Sequence, residues 1–222
     1  MKRKTLLWTG IGLLLLFALW TVLIQCVDVQ PVGPRDTKVG FASWNVWFHH
    51  LTGVNMTLYT VTDWLGLVPI LICGCFGMIG LCQWIQRKKL FLVDRDILIL
   101  GVYYLLVIAG YLLFEMIPIN YRPVLIDGYL EASYPSSTTL LVLSVMPTLM
   151  FQTNRRCGNR TLRNLAALFS VLFSIFMVTG RLIAGVHWLT DIVGSAILSA
   201  GLFLLYCAAV NYADQKKAEA RL

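Results

Sequence analysis

Apolar residues run along this chain in long unbroken stretches instead of alternating every second position, and polar residues gather in the short intervals between them. Stretches at 6–27, 61–85, 97–117, 137–151, 165–183 and 191–210 predict six helices, because about 20 apolar residues of helix cross a hydrocarbon core of roughly 30 Å. Pro147 interrupts the fourth, which a membrane helix tolerates better than a soluble one. The longest polar interval, 28–60, carries Phe41, Trp44, Trp47, Phe48 and Leu51. That spacing predicts a short amphipathic segment, either lying at headgroup depth or packed as a lid on the bundle. No repeat, low-complexity tract or linker divides the chain. The pattern therefore predicts an all-α fold: one membrane domain over 1–222, a six-transmembrane-helix bundle with a short amphipathic non-cytoplasmic segment.

Composition supports an integral membrane protein: 58% of the 222 residues are hydrophobic, against roughly 45–50% in an average soluble domain. Charge adds orientation. Lys2, Arg3 and Lys4 precede the first stretch; Arg87, Lys88, Lys89 and Arg95 follow the second; Arg155, Arg156, Arg160 and Arg163 follow the fourth; Lys216, Lys217 and Arg221 follow the sixth. All fall on one side of a six-span layout, which makes that side, with both termini, cytoplasmic. The net charge of +7 follows from this asymmetry and from anionic headgroups, so no nucleic-acid partner is expected. The compact size and short loops suit a bacterial plasma membrane. The six cysteines read as small apolar residues, since Cys73-Gly74-Cys75 has the wrong spacing for a structural zinc site. His49-His50 lacks a nearby carboxylate or cysteine at ligand spacing, so no metal site is expected there.

The candidate chemistry lies on the non-cytoplasmic side. One loop holds Arg122-Pro123 and then Pro135-Ser136-Ser137-Thr138 at a helix start; another holds Arg181, His187 and Asp191. Guanidinium forks match phosphoryl oxygens, and Ser136, Ser137 and Thr138 at a helix N-terminus offer free N–H groups and hydroxyls to an anion. Asp191, four residues after His187, can hold one ring nitrogen and leave the other free as a nucleophile. The alternative for any one of these residues is an anchor at a helix end.

The spacing of Arg181, His187 and Asp191, preceded by Arg122-Pro123 and Pro135-Ser136, resembles the three-part signature of the type-2 phosphatidic acid phosphatase superfamily of membrane lipid phosphatases, over roughly 115–194. The resemblance implies that His187 attacks phosphorus and becomes phosphorylated, that Asp191 orients it, and that Arg122, Arg181 and Ser136 hold the phosphoryl oxygens. It implies a phosphorylated lipid as substrate and no metal or other cofactor, the arginines supplying the positive charge. Three positions depart from the signature: Glu115 stands where the family has lysine, Gly180 where it has serine, and Ser137-Thr138 where it has Gly-His. The absent histidine is the family's general acid, a contribution of about 10²- to 10⁴-fold. Without it, a diphosphate such as a polyprenyl diphosphate is the easier substrate, because it expels a phosphate instead of an alkoxide. Glu115 beside a phosphate must be neutralised, paired with Arg122 or turned away. Two other functions remain open: a catalytically weak relative that binds or translocates phosphorylated lipids, and a lipid phosphotransferase.

Overall fold

The computed structural model describes residues 3–219; Lys2 and Arg221, counted in the charge pattern above, lie outside them. Among the described residues the chain is all-helical, with three isolated β-bridges and no strand. The helices are α1 (Arg3–Cys26), α2 (Ala42–Thr52), α3 (Met56–Leu65), α4 (Leu67–Arg87), α5 (Arg95–Met116), α6 (Ser137–Arg156), α7 (Arg160–Ile183) and α8 (Leu189–Glu219).

Five segments are long and apolar enough to cross a membrane: α1, α3 with α4 as one run (Met56–Arg87), α5, α7 and α8. The chain is therefore an integral membrane protein. The fourth expected span, α6, has 20 residues, about 30 Å at 1.5 Å per residue, but too polar a composition to stand with the others. Its neighbours account for this. Thr139, Ser144, Thr148 and Gln152 of α6 are buried, where Tyr103 Oη donates to the Ser144 carbonyl (2.9 Å), Tyr104 pairs with Thr148 (2.7 Å) and Gln152 donates to Tyr206 (2.7 Å). A helix shielded by α4, α5, α7 and α8 needs no lipid-compatible surface, and hydropathy along the sequence reports that surface alone. The helix runs through Pro147 to Arg156.

The bundle is organised on α8, which packs most extensively against α1 and also against α6 and α5. Half of its most apolar window is buried, against about a fifth in the other spans. Two opposite ends result. At one, Arg3 reaches Gln215, and Arg87, Asp94, Arg156, Asp96, Arg155 and Asp214 form a chain of ion pairs 2.7–3.5 Å long. At the other lie the C-termini of α5 and α7 and the N-termini of α6 and α8, with α2 as a roof. Asn45 of α2 donates to the Gly40 carbonyl (2.8 Å) and to Thr190 Oγ1 (3.0 Å), fixing α2 to the start of α8. The outer face of α2 carries Trp44, Trp47 and Leu51, all more than 60% exposed. The second expected span begins earlier than the apolar run suggests, at Met56, because Asn55 caps α3 by accepting from Leu58 N.

Candidate functional site

Two short segments face each other antiparallel across 120–122 and 131–133, with Arg122 N donating to the Glu131 carbonyl (3.1 Å) and Ser133 N to the Asn120 carbonyl (2.9 Å). This pairing sets Arg122, Glu131 and Ser133 on one small platform. The turn after α7 sets the rest. Gly185 adopts φ +68°, and a Cβ there would fall 1.9 Å from the Gly53 carbonyl oxygen, so only glycine lets the turn pass under the α2–α3 loop. His187 follows, and then α8 begins, with Asp191 accepting from Trp188 N (2.9 Å) in the manner of a capping box.

The ring of His187 is 3% exposed. Its Nδ1 lies 3.1 Å from Ser133 Oγ and 3.2 Å from the Ser133 carbonyl oxygen, but 3.7 Å from Asp191 Oδ2. The expected direct His187–Asp191 hydrogen bond is thus replaced by a bridge, because Ser133 Oγ donates to Asp191 Oδ2 and occupies the space between them. The proton inventory then fixes the tautomer. With the Ser133 hydroxyl proton on Asp191, and a carbonyl that only accepts, Nδ1 carries the proton and Nε2 carries the lone pair. Burial, and after it the charges of Arg122 and Arg181, hold the imidazole well below its ordinary pKa, against a smaller opposing pull from the Ser133 carbonyl. His187 is therefore a neutral base with a free Nε2.

Two guanidinium groups stand beside it. Arg181 (1% exposed) and Arg122 (8%) lie over the Tyr59 ring at 4.8 and 5.7 Å. Arg181 Nη1 is 3.6 Å from Asp63, and Arg122 Nε is 3.0 Å from Glu131 but misaligned for a hydrogen bond. Nine buried side-chain nitrogen and oxygen atoms lack a hydrogen-bond partner among the described residues, and five belong to this site: Nε and Nη1 of both arginines and Nε2 of His187. Buried polar atoms are otherwise paired almost without exception, so their gathering here marks a place for an anion.

A cavity of about 240 Å³ opens on this group, lined by Glu115, Arg122, Glu131, Ser133, Ser137 and His187, with Tyr111 on its wall. Arg181 is not among its lining residues. The serine-rich helix start divides. Ser137 lines the cavity, Ser136 is fully buried with its hydroxyl donating to Thr139 Oγ1 (3.0 Å), and Thr138 turns to a neighbouring groove. That groove, about 360 Å³ between α4, α5 and α6, has mainly apolar walls (Leu67, Ile70, Val107, Ile108, Leu140, Leu141) and shares Tyr111 and Ser137 with the cavity. Glu115 faces the cavity, and Arg122 is paired with Glu131 instead. At Gly180, a Cβ would come within 2.8 Å of Thr62, so glycine here brings α3, with Tyr59 and Asp63, against α7. A larger crevice of about 700 Å³ at the far end is lined by the ion-pair chain and holds no nucleophile.

Tyr59, Asp63, Glu131 and Ser133 belong to the site and were not singled out by the sequence. Tyr59 and Asp63 sit in what reads as a helix entry, and a serine two residues before Pro135 has no periodic or spacing signal. Only the platform pairing brings Glu131 and Ser133 to His187.

Residues 117–215 match the family model of the PAP2 superfamily. The crystal structure of a transmembrane PAP2-type phosphatidylglycerolphosphate phosphatase from Bacillus subtilis shares the fold, with a TM-score of 0.62 at 18% identity over 93% of this chain and 96% of that chain. No protein of curated function matches the sequence.

Proposed function

We propose that the chain, whose residues 117–215 match the PAP2 superfamily model, is a membrane lipid phosphatase working through a phosphohistidine at His187. The carrying observation is the set of five orphaned nitrogens on Arg122, Arg181 and His187: a phosphoryl group set among them gives each an acceptor or, at Nε2, an electrophile. Nε2 attacks phosphorus. The arginines hold the equatorial oxygens and take up the charge that grows there, while Ser133 and Asp191 keep the proton on Nδ1 and the ring in line. Water then releases phosphate from the ring.

The groove along α4 and α5 supports a lipid, since it gives an apolar tail a path into the bundle while its phosphate enters the cavity. The Glu131 carboxylate on the cavity wall favours a phosphomonoester over a diphosphate: the cavity is about 8 Å across, and each further negative charge meets it with about 2 kcal/mol of repulsion at an effective dielectric of about 20. We assign α6 as the sixth span, sheathed by its neighbours, with the ion-pair end cytoplasmic and the cavity non-cytoplasmic. The exposed tryptophans of α2 then lie at headgroup depth.

The test is phosphate release by detergent-purified protein from a dispersed lipid phosphomonoester. Release that vanishes in His187→Ala and falls by orders of magnitude in Arg122→Gln supports the reading. Tight binding of the lipid without release by the wild type overturns it in favour of binding or translocation.

A further inference from the structure

Expulsion of a lipid alkoxide needs a proton at the departing oxygen, and His187, whose Nδ1–H is committed to Ser133, has none to give at Nε2. The titratable and charged groups that line the cavity are Tyr111 and Glu115 on α5, Arg122 and Glu131 on the platform, Tyr134 just after it, and His187; Asp63 stands in the adjoining groove. Glu131 is tied to Arg122 at 3.0 Å. Glu115 has no ion-pair partner within 4 Å among the described residues and lines the cavity from the last turn of α5, four residues after Tyr111, which the cavity shares with the apolar groove. A substrate with phosphorus at Nε2 and its tail in the groove carries its ester oxygen through the cavity that Glu115 lines.

We propose that Glu115 is the proton donor to the leaving alcohol, a catalytic carboxyl that makes lipid monoesters accessible to this chain. The inference rests on the phosphohistidine reading above. In the first step Nε2 bonds to phosphorus as the P–O bond to the lipid breaks; the bond's electron pair goes to the ester oxygen, which takes the Glu115 proton and departs as the alcohol. In the second, water adds to phosphorus, the P–N bond returns its pair to Nε2, and the proton lost by the water goes to the Glu115 carboxylate. Phosphate leaves, and imidazole and carboxylic acid are restored.

Leaving-group dependence separates an acid from a structural carboxylate. Glu115→Gln and Glu115→Asp are compared with wild type on dioctanoyl phosphatidic acid, whose alkoxide needs the proton, and on p-nitrophenyl phosphate, whose phenolate does not. Glu115→Gln is expected to lose about 10²- to 10⁴-fold on the alkyl ester, at least about tenfold more than on the aryl ester, with Glu115→Asp recovering part of the difference. Residual aryl turnover also shows that the variant is folded. Equal losses on both substrates, or no loss, with His187→Ala inactive, overturn the role of Glu115 alone. Undiminished turnover by His187→Ala overturns the phosphohistidine reading and this inference with it.

Discussion

Replacing Arg181 with methionine should raise the stability of the protein while destroying its activity. The side chain is 1% exposed, with Nε and Nη1 unpartnered and a single acidic neighbour, Asp63, at 3.6 Å, whose own side chain is 58% exposed. An unsatisfied buried charged donor costs about 1–3 kcal/mol, and replacing a buried charge by an apolar side chain of similar size is often stabilising by about 1–4 kcal/mol. Loss of the cation–π contact with Tyr59 returns about 0.5–2 kcal/mol of that. Asp63, already in solvent, loses little. The net expectation for Arg181→Met is stabilisation by about 1–2 kcal/mol. Function moves the other way. Two charge-assisted hydrogen bonds to phosphoryl oxygens, at about 1.5–3 kcal/mol each, correspond to a loss of roughly 10²- to 10⁴-fold in kcat/KM. The assay is a melting curve in detergent with and without saturating inorganic phosphate, beside turnover on a lipid phosphomonoester. Phosphate should stabilise wild type, as any ligand bound only to the native state does, and should leave Arg181→Met unmoved. A variant that melts below wild type, or that gains as much from phosphate, would refute the reasoning: Arg181 would then be a structural residue with its charge satisfied.

Ser133→Ala removes the hydroxyl that bridges His187 to Asp191 but keeps the carbonyl that Nδ1–H can still use, so kcat should fall about tenfold, worth one hydrogen bond, with KM unchanged; an effect under twofold would take Ser133 out of the relay. Gly185→Ala forces a Cβ against the Gly53 carbonyl at φ +68° and should lower stability by at least about 1–2 kcal/mol, and an unaltered melt would mean that the α2–α3 loop is not seated there. Because His187 is held well below its ordinary pKa, kcat/KM should show no protonation step near the free imidazole's value of about 6.5. The same depression makes its contribution to stability full above that pH and lost below it, as the unfolded chain takes up a proton the native one refuses, with a slope of about 1.4 kcal/mol per pH unit. Melting curves of wild type and His187→Gln between neutral and acidic pH should converge on acidification, and parallel curves would contradict the assignment.

The apolar runs were legible as membrane helices because lipid exposure is what hydropathy measures, and α6 was the poorest match because its surroundings are protein. Arg122, Arg181, His187 and Asp191 were legible through spacing and loop sidedness. Their interplay was not. The intervention of Ser133 between His187 and Asp191 arises from a platform pairing more than fifty residues away in sequence from the ring it serves. Tyr59 and Asp63 come to the arginines through the close packing of α3 on α7 at Gly180, a position that reads from sequence only as a lost serine. The serine-rich helix start offered three equivalent hydroxyls, yet a hydrogen bond to Thr139 consumes one and rotation about the helix axis turns another into the groove. Glu115 could be recognised as out of place, but whether it faced the anion depended on how α5 turns in the bundle.

The most direct test of the central claim is to quench the detergent-purified protein during incubation with a lipid monoester carrying a radiolabelled phosphate, and to map the label. The account predicts an acid-labile, alkali-stable label confined to the peptide that contains His187 and absent from His187→Ala. Label on another residue, or phosphate release by wild type with no protein-bound label at any quench time, would contradict it.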